Sequence, residues 1–395
     1  MHADFIIVGA GIAGASLAYE LSLRGRVCLL EAEDAPGFHT TGRSAALFAP
    51  SYGGAAIRAI TRASQAFFEA PPEGFTDRDL LSGRGCLYPA RRDQREALCA
   101  LAGAIRQSGG EVDEVSAAEA RRMVPLFRDD YVDAAIFDRA AMDIDVDALL
   151  QGFLRGARAR GAQLLTRSRL TDVVRTSGVW RIAVPDGVVE APILVNAAGA
   201  WADEVARHCG ANQVGLRPLR RTALLVDPPA TADIGRWPAV IDVDEEFYFK
   251  PEAGRLLLSP ADETPDDPRD VQAEEIDIAI GVDRVQRAID LPVTRVTHSW
   301  AGLRTFAPDR QPVVGYDDMA PGFFWCAGQG GYGIQTAPAM ARVAAALVCE
   351  AGLPDDVLAE GLDLSAIAPQ RLRFGATATM AGSTRISRCA VGSAS

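Results

Sequence analysis

The residues most able to do chemistry stand at the start of the chain. Gly9-Ala10-Gly11-Ile12-Ala13-Gly14 follows the apolar run Phe5–Val8 and opens a stretch of helical periodicity. A first glycine permits the tight turn, a second lets backbone approach a pyrophosphate, and a third (Gly14) lets helix pack on strand. The helix N-terminus adds unsatisfied N–H groups and the positive end of its dipole for phosphate oxygens. Glu31 ends the next apolar run, Arg26–Glu31, where an acid takes the ribose hydroxyls. The spacing predicts a dinucleotide site. A glycine triplet alone also fits a plain strand–helix turn, and it is the register of strand, helix and acid that favours a ligand.

Three further segments bear on which dinucleotide. Thr40-Thr41-Gly42-Arg43-Ser44-Ala45-Ala46 is rich in small and hydroxyl residues suited to running beside an extended ligand. Val195 to Asp203 is a strand ending in small residues, with Ala198, Gly199 and Trp201 at its close. Gly328 to Thr336, with Gly330, Gly331, Tyr332, Gly333, Ile334 and Gln335, precedes a helix whose N–H groups suit the pyrimidine end of a flavin, where reduction leaves negative charge. Each, taken singly, can also be a loop near a helix start. Together they describe one long ligand touched by N-terminal, middle and C-terminal segments, which fits FAD better than NAD.

The elements that must position these groups follow from composition and pattern. The chain has 395 residues, a net charge of -12, 48% hydrophobic and 23% charged residues, a soluble globular profile with room for two domains. Its acidity argues against nucleic-acid binding. Seven scattered cysteines and four dispersed histidines suggest neither a disulfide framework nor a metal site. Neither a signal peptide nor an apolar stretch of bilayer length is visible, so a reducing, cytoplasmic location is expected. The expected fold is α/β (α+β overall): a glutathione-reductase-like Rossmann FAD domain (1–85, 142–215 and 300–373) with an inserted, largely antiparallel-sheet substrate domain (86–141 and 216–299). Residues 374–395 are small and polar and read as a flexible tail.

At this point the chain resembles the D-amino acid oxidase and glycine oxidase family of flavoproteins, and within it the D-arginine dehydrogenase branch. The likeness runs to about residue 373 and is carried by GAGIAGAS (Gly9–Ser16), GRSAA (Gly42–Ala46), LVNAAGAWAD (Leu194–Asp203), FYFKPEAG (Phe247–Gly254), WAGLRTF (Trp300–Phe306) and QGGYGIQT (Gln329–Thr336). It implies non-covalent FAD, with Ala13, Ala32 and Val173 joining the cofactor wall. It also implies hydride transfer from the Cα of a D-amino acid or small amine to flavin N5, leaving an imine that water hydrolyses. Arg221 and Arg304 match the residues that anchor the substrate carboxylate, a task suited to a planar guanidinium fork. Tyr52 and Tyr248 match the active-site tyrosines.

Two positions depart from that branch. Cys86 stands where it has a glutamate and Leu47 where it has a histidine, so the specificity pocket is expected to be more apolar. Loss of a carboxylate opposite a cation costs on the order of 2–5 kcal/mol of selectivity. A neutral or hydrophobic substrate is therefore expected over arginine. One of Asp242, Asp244, Glu245 and Glu246 is a candidate replacement charge, although a solvated loop is the plainer reading. The alternatives are a glycine- or sarcosine-type oxidase making hydrogen peroxide, a 2-hydroxy-acid dehydrogenase using His39, an NAD enzyme, or a flavin-binding partner without catalysis. The electron acceptor, oxygen or a quinone or another, stays open.

Overall fold

The computed structural model describes residues 1–372; the expected tail at 374–395 lies outside the described residues. The short strand Phe5–Val8 is buried along its whole length, as a strand covered on both faces must be. It lies inside a six-stranded sheet between Ile193–Asn196 and Val27–Leu30, both parallel to it. Gln163–Leu165 continues the sheet beyond Val27–Leu30, while Phe323–Ala327 and the antiparallel Val313–Tyr316 complete the other side.

Alternation along this strand divides the core. Phe5 and Ile7 pack with the helices Ile12–Leu21, Val146–Ala159 and Gly333–Val348. Ile6 and Val8 face the opposite way, against Trp180, Ile182 and Val189 of a three-stranded antiparallel sheet (Val173–Thr176, Val179–Val184, Gly187–Ala191). The nucleotide-type sheet is thus sandwiched between helices and a small sheet.

A second sheet of nine strands is antiparallel except where Ala239–Ile241 pairs with Cys86–Ala90. Its longest pairing joins Arg217–Val226 to Val296–Phe306, with Arg221 opposite Gly302 and Leu219 opposite Arg304. The expected domain boundary at residue 300 therefore needs correction. Trp300 to Phe306 sits within one continuous strand of the second sheet, and its backbone hydrogen bonds commit it there.

The two sheets are sewn together by the Thr40–Arg43 loop. Thr40 Oγ1 donates to the Leu303 carbonyl at 2.7 Å, Arg43 Nη1 donates to the carbonyls of Val271 and Ala301, and Trp300 Nε1 donates to the Arg43 carbonyl. No helix among the described residues is long and apolar enough to cross a membrane.

Candidate active site

The turn after the first strand is shaped by steric need. Gly9 has φ +100°, and a β-carbon on it would lie 2.5 Å from the Ala197 carbonyl oxygen; one on Gly14 would strike the Gly9 carbonyl at 1.8 Å. Gly14 therefore serves packing and stands outside the cleft wall. Gly9, Gly11 and Ala13 line a cleft at the carboxyl ends of the parallel strands, with about 1580 Å³ of empty space including its open mouth.

Glu31 is buried at this cleft. One carboxylate oxygen accepts the Ala10 N–H at 2.9 Å and the other accepts the Glu33 N–H at 3.0 Å. Each oxygen keeps a free lone pair, which suits vicinal ribose hydroxyls and repels a phosphate there. Thr41 Oγ1 accepts the Ile12 N–H at 3.0 Å, so its own proton remains available to a phosphate oxygen. Beyond Glu31 the wall takes in Ala32, Thr40, Thr41, Arg43, Ser44 and Ala45, then Ala198, Gly199 and Trp201, then Gly330, Gly331, Gly333 and Ile334. Segments from the two ends and the middle of the chain converge on one elongated cavity. This donor set and the glycine cradle fit FAD.

Several expected cofactor residues stand elsewhere. Val173 belongs to the small antiparallel sheet and packs on its core, and Ser168, Arg169 and Leu170 form the wall nearby. Gly42 closes a turn in which a β-carbon would meet the Gly37 carbonyl at 2.7 Å. Ala46 packs on the main core. Gln335 is buried, its Oε1 accepting the Ala49 N–H while its Nε2 has no partner among the described residues. Tyr332 lines a second cavity instead. Sequence reading missed Glu33 in the first wall, where it pairs with His39 at 3.0 Å while the His39 ring packs on Trp201.

That second cavity is lined by Tyr52, Arg221, Glu245, Ala261, Glu263, Arg304, Phe306, Arg310, Gly331 and Tyr332. Arg221, Arg304 and Gly331 belong to both cavities. Strand geometry explains the pair of arginines. Arg304 lies opposite Leu219, and Leu219 and Arg221 point to the same sheet face two residues apart, so both guanidiniums emerge on one side. Arg220 points the other way, into Asp266, Glu274 and Asp277, and is a structural ion cluster. Arg221 Nε donates to the Asp262 carbonyl at 2.7 Å, and its Nη2 lies 3.3 Å from Glu263. The Arg304 guanidinium has no hydrogen-bond or ion-pair partner among the described residues. Burial, and then Arg304 nearby, lower the Arg221 pKa from its ordinary value. Two cations held side by side are relieved by an incoming carboxylate.

Tyr248 reaches the first cavity, with the Arg221 guanidinium 6.0 Å from its ring centre. Tyr52 reaches the second, its ring 5.4 Å from that of Tyr332 and its hydroxyl donating to Glu245 at 3.2 Å. The apolar specificity pocket expected from Leu47 and Cys86 is not what the structure forms. Cys86 is fully buried in its strand, Leu47 packs against the same cluster as Tyr52, and neither lines either of these two cavities. The rim is charged instead, by Glu245, Glu263 and Arg310. Burial pushes the Glu263 carboxyl up, but the hydrogen bonds and charge of Arg310 outweigh it and leave its pKa lowered. Among the described residues no cluster suits a metal ion. Cys326 is buried beneath the glycine-rich turn, and that burial pushes its thiol up to about 12.

Comparison with known proteins agrees with this geometry. Residues 4–347 match the family model described as DAO, FAD dependent oxidoreductase. The hydrogen cyanide synthase subunit HcnC of Pseudomonas protegens is 25% identical, covering 90% of this chain and 94% of that protein. Among solved structures, glycine oxidase from Geobacillus kaustophilus superposes with a TM-score of 0.79 at 21% identity, covering 89% of this chain and 95% of that one. L-proline dehydrogenase from P. horikoshii gives 0.79 at 20% identity, with 95% and 98% covered. With an FAD-shaped cleft and a match spanning most of its length, the chain belongs to the DAO family of FAD-dependent oxidoreductases.

Proposed function

We propose that the protein oxidises the C–N bond of a small amino acid, with Arg304 and Arg221 holding the substrate carboxylate where the two cavities meet. The observation that carries this reading is the unpartnered Arg304 guanidinium between the nucleotide cleft and the charged cavity. A half-buried cation without an anion is poorly compensated, and a bidentate carboxylate is the ligand its fork geometry matches. Bound flavin supplies a two-electron acceptor for the substrate Cα–H. The chain supplies orientation: Arg304 and Arg221 fix the carboxylate, Tyr248 and Tyr52 flank the substrate, and exclusion of water strengthens every contact. Carboxylate anchoring of this kind turns an encounter into a fixed approach of Cα.

Charge balance favours a neutral side chain. Three guanidiniums line the second cavity against two carboxylates, and the substrate carboxylate completes the balance. A cationic side chain such as that of arginine would be one positive charge too many. The resemblance to the D-amino acid oxidase family as a whole supports the D enantiomer. The test is anaerobic mixing of the yellow holoenzyme with D- and L-amino acids, N-methyl amino acids and 2-hydroxy acids. Bleaching by neutral D-amino acids is the expected result; bleaching by hydroxy acids alone would remove the amine reading. Peroxide formation on admitting air distinguishes an oxidase from a dehydrogenase.

A further inference from the structure

Glu245 is the carboxylate of the second cavity with no cationic partner among the described residues; Tyr52 Oη donates to its Oε1 at 3.2 Å. Glu263, the other carboxylate, is held by two hydrogen bonds from Arg310 at 2.8 and 3.0 Å and by Arg221. Glu245 is also exposed while the Tyr52 ring is packed against buried neighbours, so the pair leads from the cavity to solvent.

The turn that presents Glu245 is built for it. Glu245 itself has φ +55°, and Ala261 and Arg310 of the same cavity have φ +52° and +62°. These are three of the seven non-glycine residues with left-handed backbone among the described residues. Such conformations cost free energy and concentrate at functional sites. Beneath the turn the fully buried Asp242 carboxylate accepts N–H groups from Asp244 and Glu246, the Gln94 amide and the Tyr131 hydroxyl, which fixes the loop rigidly.

We propose that Tyr52 and Glu245 form the route by which the substrate ammonium loses its proton before oxidation, an inference that rests on the amino-acid reading of this cavity. An α-ammonium cannot surrender hydride from Cα until nitrogen has a lone pair. With the substrate carboxylate in place the cavity is charge-balanced, so the ammonium proton is the one in excess. The N–H bond breaks toward Tyr52 Oη as the Tyr52 proton passes to Glu245 Oε1, and Glu245 releases it to water. No other reactant is needed. Glu263 is the poorer proton acceptor, because its oxygens are already engaged by Arg310 and Arg221, which lowers their basicity. The charged and titratable groups facing Glu245 are Asp244 and Glu246 on its own turn, Tyr52 and Tyr332 across the cavity, and Arg310, Arg304, Arg221 and Glu263 from the sheet side.

The test is the pH profile of kcat/KM for holoenzyme and a neutral amino acid that bleaches it. In wild type the rise with pH is expected well below the pKa of the free substrate amine. Glu245→Gln should move that rise up by about one pH unit, with activity near neutrality down about tenfold and the curves meeting once the free amine is deprotonated. Tyr52→Phe, which keeps the carboxylate but cuts the route, should shift it the same way. A purely structural role would lower both curves equally at every pH. Unshifted profiles in both variants overturn the proposal. If no amino acid bleaches wild-type flavin, the amino-acid reading has failed first, and the wild-type experiment alone shows it.

Discussion

Gly331 and Arg304 are in close apposition: a β-carbon on Gly331 would lie 3.1 Å from Arg304 Nη1. The absent side chain gives the Arg304 guanidinium its place. Gly331→Ala should displace Arg304 by a few tenths of an ångström and lower kcat/KM on the order of tenfold, with FAD content unchanged. Steady-state kinetics beside the flavin-to-protein absorbance ratio check this.

Arg220 and Arg221 predict opposite phenotypes. Arg220→Met would leave the buried Asp277 and the half-buried Asp266 facing an absent cation, costing about 3 kcal/mol of stability. Thermal unfolding should show the loss, whereas Arg221→Met should act mainly on KM for the amino acid.

Glu31→Gln tests the ribose end of the cleft. The amide keeps one acceptor but loses the charge that holds Ala10 and Glu33 in place. FAD affinity should fall by about 1–3 kcal/mol, read as a higher Kd in flavin fluorescence titrations, while the substrate cavity remains intact.

The ion pair at the cavity rim makes stability depend on pH with a definite sign. The Glu263 carboxyl is held below its ordinary 4.5, chiefly by Arg310 against burial. A carboxyl with a depressed folded pKa contributes stability above its unfolded value, and that contribution is lost as pH falls through the folded one. The Tm of Glu263→Gln should lie below wild type above about pH 5 and converge with it in stronger acid, in differential scanning calorimetry across that range.

The nucleotide half was legible in the sequence because its signals are local. A buried strand, a glycine turn, a helix and an acid at fixed offsets need no knowledge of pairing. The second half was legible only in part. Which of Arg220 and Arg221 faces the cavity depends on strand parity, which comes from pairing with Val296–Phe306. Cys86 read as a pocket residue because its strand, buried at all five positions, carries no alternation to show which side chains face a ligand. Glu245 and Arg310 arrive on turns with left-handed non-glycine backbone, for which no residue type announces the geometry. Val173 was placed at the cofactor by resemblance, whereas Ser168, Arg169 and Leu170 just before it form the cleft wall and Val173 packs on the core beside them.

The central claim is that an unpartnered Arg304 takes the substrate carboxylate above a bound flavin. Its most direct test is anaerobic flavin reduction by a neutral amino acid set against the matching amine that lacks only the carboxylate. Bleaching by the amino acid, none by the amine at equal concentration, and loss of that discrimination in Arg304→Met are predicted. Equal reduction by both compounds in the wild-type protein would contradict the account.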